Sequence, residues 1–135
     1  MYYRRHEAEH ILAKAEDSLK PSRVVSYEKD EATRHGIVSE GRISHSCRLG
    51  WAGDKVVKDA VRRAAYLCNL TPAHAEPVQV VRYGVGGEYR PHYDWFDPDG
   101  PHFPTKTENG GQRMISVFCY LQVSSLFYLQ QSLLT

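Results

Sequence analysis

A histidine and an aspartate with one residue between them, His92 and Asp94, are the residues in this chain whose types and spacing point most specifically to a chemical role. Residues 89–94 are predicted to form a β-strand, and side chains alternate faces along a strand. Both side chains are therefore expected on one face, with about 6 to 7 Å between their Cα atoms. An imidazole and a carboxylate placed in this way are two of the three protein ligands of non-haem Fe(II) oxygenases, whose third ligand is a second histidine.

A second metal motif lies near the start of the sequence. His6, Glu7 and His10 read H-E-x-x-H, in which two histidines on a helix share a zinc ion and the glutamate acts as general base. The motif begins within a few residues of the first residue, where fraying is expected, and no third ligand is evident downstream. A zinc protease is therefore kept as a remote alternative.

Two helices are predicted to support these residues. Apolar residues recur at helical spacing in residues 8–19, and Pro21 ends that segment. Asp54 is a candidate N-cap for a second helix, whose apolar stripe extends over residues 56–68 and which Asn69 helps to close. The second helix is the more strongly indicated of the two.

Strands are predicted to follow and to separate the helices. The β-patterned segments are residues 24–27, 43–49, 78–83, 89–94 and 113–122, and a long loop covers residues 96–111. This order predicts an α+β fold in which the helices pack on a partial double-stranded β-helix, or jelly roll, that is truncated near Gln122. One domain and no internal repeat are expected.

Composition excludes few functions. The chain has 135 residues, 41% of them hydrophobic, and its net charge of +1 argues against a dedicated nucleic-acid surface. No apolar run approaches the length that spans a bilayer, and the first residues lack the apolar core of a signal peptide. As written, the product is expected in the cytoplasm, or in the endoplasmic reticulum if a leader is missing from this sequence. Buried free thiols are predicted at three separated cysteines, Cys47, Cys68 and Cys119.

The central part of the chain resembles the prolyl 4-hydroxylase family of 2-oxoglutarate/Fe(II)-dependent dioxygenases. The family pattern is a strand ending in RY, a glycine turn, a tyrosine, PHxD and an aromatic residue. After a loop it continues with GG-x-R at the start of a hydrophobic strand that ends in YL. The chain matches this order at Arg82, Tyr83, Gly84, Gly86, Tyr89, Pro91, His92, Asp94, Phe96, Gly110, Gly111, Arg113, Tyr120 and Leu121.

The resemblance implies an activity and a role for each site residue. The family hydroxylates peptidyl proline with 2-oxoglutarate, O2 and Fe(II), and ascorbate rescues oxidised iron. By resemblance, His92 and Asp94 bind the iron and Tyr83 lies beside the 2-oxoglutarate. Arg113 and Tyr89 correspond to positions that contact the substrate. A proline-containing peptide or protein is the expected partner, and the sequence does not predict an oligomeric state.

The same residues have simpler interpretations. His92 and Asp94 could form a polar pair on a strand surface, since His-x-Asp tripeptides are frequent by chance. Tyr83 and Tyr89 could be ordinary strand aromatics, and Arg113 a solvated residue at a strand start.

The resemblance stops near Gln122, where the family would continue with a second iron histidine and a lysine that pairs with 2-oxoglutarate. Residues 1–122 are therefore assigned to a partial catalytic domain and residues 123–135 to a non-homologous tail. The codons of residues 122–124 can match an exon end followed by an intron start, so an unspliced intron is our hypothesis for the tail. The chain as written is expected to bind metal weakly and to be inactive.

Two alternatives remain for a chain without the second iron histidine. His102 or His74 could replace the lost ligand. The chain could instead be a non-catalytic interaction module or an inactive paralogue, which offers an unpaired sheet edge to a partner.

Overall fold

Three α-helices and a three-stranded antiparallel sheet make up the described part of the chain in a computed structural model, and this confirms the α+β class. The structure describes residues 3–28, 32, 35–108 and 110–122. None of the helices in these residues is long and apolar enough to cross a membrane. The elements in chain order are α1 (Arg5–Glu16), β1 (Lys20–Pro21), β2 (His45–Leu49), α2 (Lys55–Leu67), a 3-10 turn (Pro72–His74), β3 (Val78–Arg82) and α3 (Phe103–Thr107).

Helix α2 forms as predicted because its local signals agree. The Asp54 side chain accepts a hydrogen bond from the Val57 backbone N–H at 3.1 Å, which satisfies one of the free donors at the helix start. The apolar stripe is buried at Val57, Ala60, Val61 and Ala65. After the helix, Asn69 adopts a φ of 54°, a left-handed conformation that asparagine tolerates. The predicted cap and stop are both confirmed.

Helix α1 begins and ends three residues earlier than the apolar pattern. It begins at Arg5 and ends at Glu16, whereas the pattern indicated residues 8–19. Ile11 and Ala15 are buried on its inner face, one helical turn apart. Leu19 still packs against the core from outside the helix, which explains why it fitted the apolar pattern.

The sheet has the order β1-β2-β3, with every neighbouring pair antiparallel. Cys47 pairs with Val80, and Leu49 pairs with Val78. Cys47 and Leu49 share a face of β2, since they are two residues apart. This face joins the helices in one hydrophobic core of Ile11, Ala15, Cys47, Leu49, Val57 and Val80.

Three of the predicted strands are absent. Residues 24–27 and 89–94 contribute only isolated bridges, Val24 to Ile37 and Arg42 to Tyr89, and residues 113–122 form no strand. A strand is stabilised by hydrogen bonds to a neighbour, and no other described strand lies beside these segments. The loop predicted for residues 96–111 also contains α3. Residues 123–135, the predicted tail, lie outside the described residues.

All three cysteines are free thiols, as the sequence suggested. Only Cys47 is buried, whereas Cys68 and Cys119 are partly exposed, so the prediction of burial is wrong for these two. Burial raises the pKa of the Cys47 thiol and, with smaller opposing effects, that of Cys119. The thiol form is therefore favoured at both positions.

Candidate functional site

The His92 and Asp94 side chains face each other without a strand to align them. The His92 Nδ1 atom lies 2.7 Å from the Arg90 carbonyl oxygen. A carbonyl oxygen can only accept, so Nδ1 carries the proton and Nε2 has the lone pair in the neutral ring. Nε2 is 3.4 Å from Asp94 Oδ1. A nitrogen and an oxygen that can each donate an electron pair to a metal are therefore close together.

This arrangement fits two ligand positions of a divalent metal. Bonds of about 2.1 Å, the usual length from a metal to imidazole nitrogen or carboxylate oxygen, can bridge the 3.4 Å between His92 Nε2 and Asp94 Oδ1. The side chains are 35% and 43% exposed, so an ion and its remaining ligands have access to the pair. Nitrogen and oxygen donors together suit Fe(II).

A third protein ligand is not found in the part of the chain that the structure describes, where no group of three histidine, cysteine or acidic side chains could hold a metal. His102 Nε2 contacts the Glu28 carbonyl oxygen at 2.9 Å. His74 Nδ1 contacts the Thr71 hydroxyl at 3.0 Å. The structure thus brings neither of the proposed replacement histidines to the pair.

Asp94 is held by the segment that begins at Arg113. The Ser116 hydroxyl donates to Asp94 Oδ2, and Arg113 Nη1 donates to the Asp94 backbone carbonyl at 3.2 Å. Ser116 was not among the site residues predicted from the sequence. Its signal was a single hydroxyl inside the apolar run MISVF, residues 114–118.

Arg113 is fixed rather than solvated. Its Nε and Nη2 atoms donate to the two carboxylate oxygens of Glu76 at 2.5 and 2.9 Å, and its guanidinium lies 4.4 Å from the centre of the Phe96 ring. The hydrogen bonds from Arg113 lower the pKa of Glu76, and those to Glu76 raise the pKa of Arg113. The charged forms of both groups are therefore stabilised. Glu76 is a second residue that sequence analysis missed.

Tyr89 packs directly on the histidine. The ring centres of Tyr89 and His92 are 3.4 Å apart with an angle of 19° between their planes, and the Arg42 guanidinium lies 4.6 Å from the Tyr89 ring centre. Burial raises the pKa of Tyr89, and the charge of Arg42 opposes that rise. Tyr83 is 48% exposed and lies near enough to Tyr89 to influence its pKa. Contacts thus link Tyr89 to His92, His92 to Asp94 and Asp94 to Arg113.

Gln112 closes the loop beside Arg113. Its side-chain nitrogen donates to the Phe96 carbonyl oxygen at 2.6 Å, and its side-chain oxygen accepts from the Phe96 backbone N–H at 2.7 Å. The same oxygen accepts from the backbone N–H of Arg113 at 3.0 Å. One amide therefore fixes the start of the loop next to its end, where Arg113 and Phe96 meet.

No family model matches the chain, but curated proteins do. Prolyl 4-hydroxylase 5 of Arabidopsis thaliana is 35% identical over 115 residues, which are 85% of this chain and 36% of the relative. Prolyl 4-hydroxylase subunit alpha-3 of Bos taurus is 38% identical over 117 residues, 85% of this chain and 20% of the relative. The matched part of this chain belongs to the prolyl 4-hydroxylase family. The resemblance in the sequence is confirmed.

The match to prolyl 4-hydroxylases covers more of this chain than of its relatives. Probable prolyl 4-hydroxylase 10 of Arabidopsis thaliana is 31% identical over 117 residues, which are 87% of this chain but 37% of the relative. The chain thus spans a little over a third of the plant prolyl 4-hydroxylases that it matches. The family assignment rests on that shared part.

In this prolyl 4-hydroxylase-family chain, the H-E-x-x-H motif serves the fold. Glu7 is 8% exposed and accepts hydrogen bonds from the Arg4 backbone N–H and from Arg63 Nη1, each at 2.9 Å. The Arg4 bond is the main cause that lowers the pKa of Glu7. His10 Nε2 contacts Asp54 Oδ2 at 2.9 Å. The Glu7 carboxylate and the His10 ring are thus engaged in structural contacts, whereas a zinc protease would need them free to act as general base and metal ligand.

Proposed function

We propose that this chain is part of a dioxygenase that hydroxylates proline in a peptide or protein, with Fe(II), 2-oxoglutarate and ascorbate. The observation that carries the proposal is the distance of 3.4 Å between His92 Nε2 and Asp94 Oδ1 in a chain of the prolyl 4-hydroxylase family. Fe(II) and 2-oxoglutarate, when bound, supply the oxidising chemistry. The protein contributes binding and orientation.

His92 and Asp94 would hold the iron, and a third donor would come from outside the described residues. The single carboxylate leaves positive charge on the metal, which favours an anionic keto acid as the next ligand. Tyr83 would donate a hydrogen bond from its phenol to a carboxylate oxygen of 2-oxoglutarate. We also propose that the sheet β1–β3 is part of a jelly roll.

The substrate surface is proposed around Arg113 and Tyr89. Arg113 is held in one orientation by the two hydrogen bonds that it donates to Glu76 and by contact with the Phe96 ring. A guanidinium fixed in this way can present its remaining N–H groups to a peptide carbonyl. The ring of Tyr89, stacked on His92, offers an apolar surface that suits a proline ring.

The test begins with metal binding by the 135-residue chain, with Mn(II) as a probe that suits the same ligands. Weak binding is expected, and His92→Ala should abolish it because one of the two protein ligands is removed. His102→Ala is the matched control and should bind as the unsubstituted chain does. Equal binding by the unsubstituted chain and His92→Ala would contradict the proposed site.

We further propose that this chain alone does not turn over, because the described residues supply only two protein ligands. Fe(II), ascorbate, 2-oxoglutarate and a proline-rich peptide are incubated with the chain, and release of CO2 is measured. No release above the protein-free background is expected. Release that disappears in His92→Ala would show that the two-ligand site is active after all.

Exposed apolar side chains favour a second candidate function, an interaction module. Among the described residues, Met114 is 82% exposed, Tyr120 is 70% exposed and Phe118 is 65% exposed. If these side chains form one contiguous apolar patch, such a patch marks an interaction site in soluble proteins. Sedimentation velocity of the chain would show self-association if this surface binds, and Phe118→Ser should reduce it. A monomer at all concentrations would argue against self-association through this surface.

A further inference from the structure

Ser116 is the one residue with a hydroxyl in the run of residues 114–118. Its neighbours on both sides are apolar, and it is partly buried, whereas Ile115 is 56% exposed and Val117 is 43% exposed. The hydroxyl contacts the Asp94 carboxylate, which is 22 residues away in the chain. The serine therefore joins two separate segments at the proposed metal site.

The two oxygens of Asp94 have different partners. Oδ2 accepts a hydrogen bond from the Ser116 hydroxyl at an O···O distance of 2.5 Å, and Oδ1 faces His92 Nε2 at 3.4 Å. An ionised carboxylate can only accept, so the serine must be the donor. One oxygen is thus held by the serine, and the other lies near the histidine nitrogen.

Asp94 needs such a partner because rotation about its last side-chain bond is weakly restricted. That torsion has broad minima, so a carboxylate without a donor samples many orientations. The Arg113 bond to the Asp94 carbonyl fixes the backbone but not the carboxylate. The Ser116 bond supplies the missing restraint.

We propose that Ser116 is a positioning residue that orients Asp94 for metal binding, an inference that rests on the proposed function. Outer partners of this kind hold a ligand in its binding orientation and typically change metal affinity by about 10- to 100-fold. Ser116 touches neither the metal nor the substrate. Its effect passes through Asp94 Oδ2 alone.

The experiment measures Mn(II) affinity in three variants of the full 135-residue chain. Titration is followed by tryptophan fluorescence, since Trp95 adjoins Asp94 in the chain, and it requires no turnover. Ser116→Ala should raise the dissociation constant about 10-fold through loss of the hydroxyl. Ser116→Thr keeps the hydroxyl and should restore most of the affinity. Ser18→Ala, at an exposed serine just after α1, is the matched control and should change nothing.

Each result decides between the two proposals. Equal affinities of Ser116→Ala and the unsubstituted chain would overturn the role of Ser116 and leave the metal site intact. Equal losses in Ser116→Ala and Ser116→Thr would also overturn it, because packing rather than the hydroxyl would then be responsible. If the unsubstituted chain does not bind Mn(II), or if His92→Ala binds equally, the proposed function fails and this inference fails with it.

Discussion

Two histidine–aspartate pairs in this chain differ in how closely they meet. His10 Nε2 lies 2.9 Å from Asp54 Oδ2, a hydrogen-bond distance that a shared proton explains. His92 Nε2 lies 3.4 Å from Asp94 Oδ1, and the proton of that ring is directed to a backbone carbonyl. The first pair is joined by a hydrogen bond, whereas the second is far enough apart for both atoms to bind one cation.

The surroundings of the two carboxylates differ in the same sense. Asp54 is 10% exposed and also accepts from the Val57 backbone N–H and lies 3.4 Å from Lys14 Nζ. The hydrogen bond to His10 is the main cause that holds the pKa of Asp54 well below its usual range. Asp94 is 43% exposed, and Ser116 is its hydrogen-bond donor among the described side chains. A carboxylate that already has several partners stabilises the fold, whereas an exposed carboxylate with fewer partners can bind a ligand.

The largest expected effect separates the pairs by function. Asp94→Ala should weaken Mn(II) binding by more than the roughly 10- to 100-fold loss that follows removal of an outer partner, because the proposed ligand itself is lost. Asp54→Ala should leave the affinity unchanged. Fluorescence titration of both variants measures this, and a similar loss in the two would remove the functional distinction between the pairs.

The second effect separates the pairs by stability. Asp54→Ala should lower the free energy of unfolding by about 2 kcal/mol, since it removes an N-cap and leaves His10 and Lys14 without a partner. Asp94→Ala should change it by less than about 0.5 kcal/mol, as is usual for exposed positions. Urea unfolding at pH 7 provides both values. A larger loss of unfolding free energy in Asp94→Ala would mean that the His92–Asp94 pair also stabilises the fold.

The third effect depends on pH. The folded pKa of Asp54 is lowered, so its stabilising contribution is present above its unfolded pKa of about 3.9 and is lost as the pH falls below that value. The stability difference between the unsubstituted chain and Asp54→Asn should therefore shrink from pH 6 to pH 3. Urea unfolding across that range measures it. A difference that grows on acidification would show that the sign of the coupling is opposite.

The smallest effect comes from an exposed pair that serves as a baseline. Arg5 Nε and Glu9 Oε1 are 2.9 Å apart, but the side chains are 93% and 61% exposed. Glu9→Gln should change the unfolding free energy by less than about 0.5 kcal/mol, because water and salt screen such pairs. The same urea series gives the value. A cost equal to that of Asp54→Ala would show that burial does not distinguish the two.

Local signals in the sequence predicted local structure well. Helix α2 is specified by its cap at Asp54, its apolar stripe and its stop at Asn69, all of which lie within the segment itself. The predictions of strands at residues 89–94 and 113–122 were wrong, because a strand depends on neighbouring strands that no local pattern reveals.

The proximity of His92 and Asp94 was predicted from the sequence, but the structure gives it a different cause. The His92 and Asp94 side chains do lie close together. The ring of His92 is oriented by its hydrogen bond to the Arg90 carbonyl and not by the alternation of side chains along a strand. Glu76 is 37 residues from Arg113, and Ser116 is 22 residues from Asp94. Contacts over such separations depend on the fold, so no spacing rule could reveal them.

The Gln112 contact with Phe96 has a consequence for engineering. Two hydrogen bonds join the ends of the long loop through one side chain and one backbone position, so the closure does not use the residues between them. Lengthening a closed loop costs little, about 0.6 kcal/mol for each doubling. We therefore expect the stretch between these two positions to accept inserted peptide sequences with little change in the geometry of His92 and Asp94.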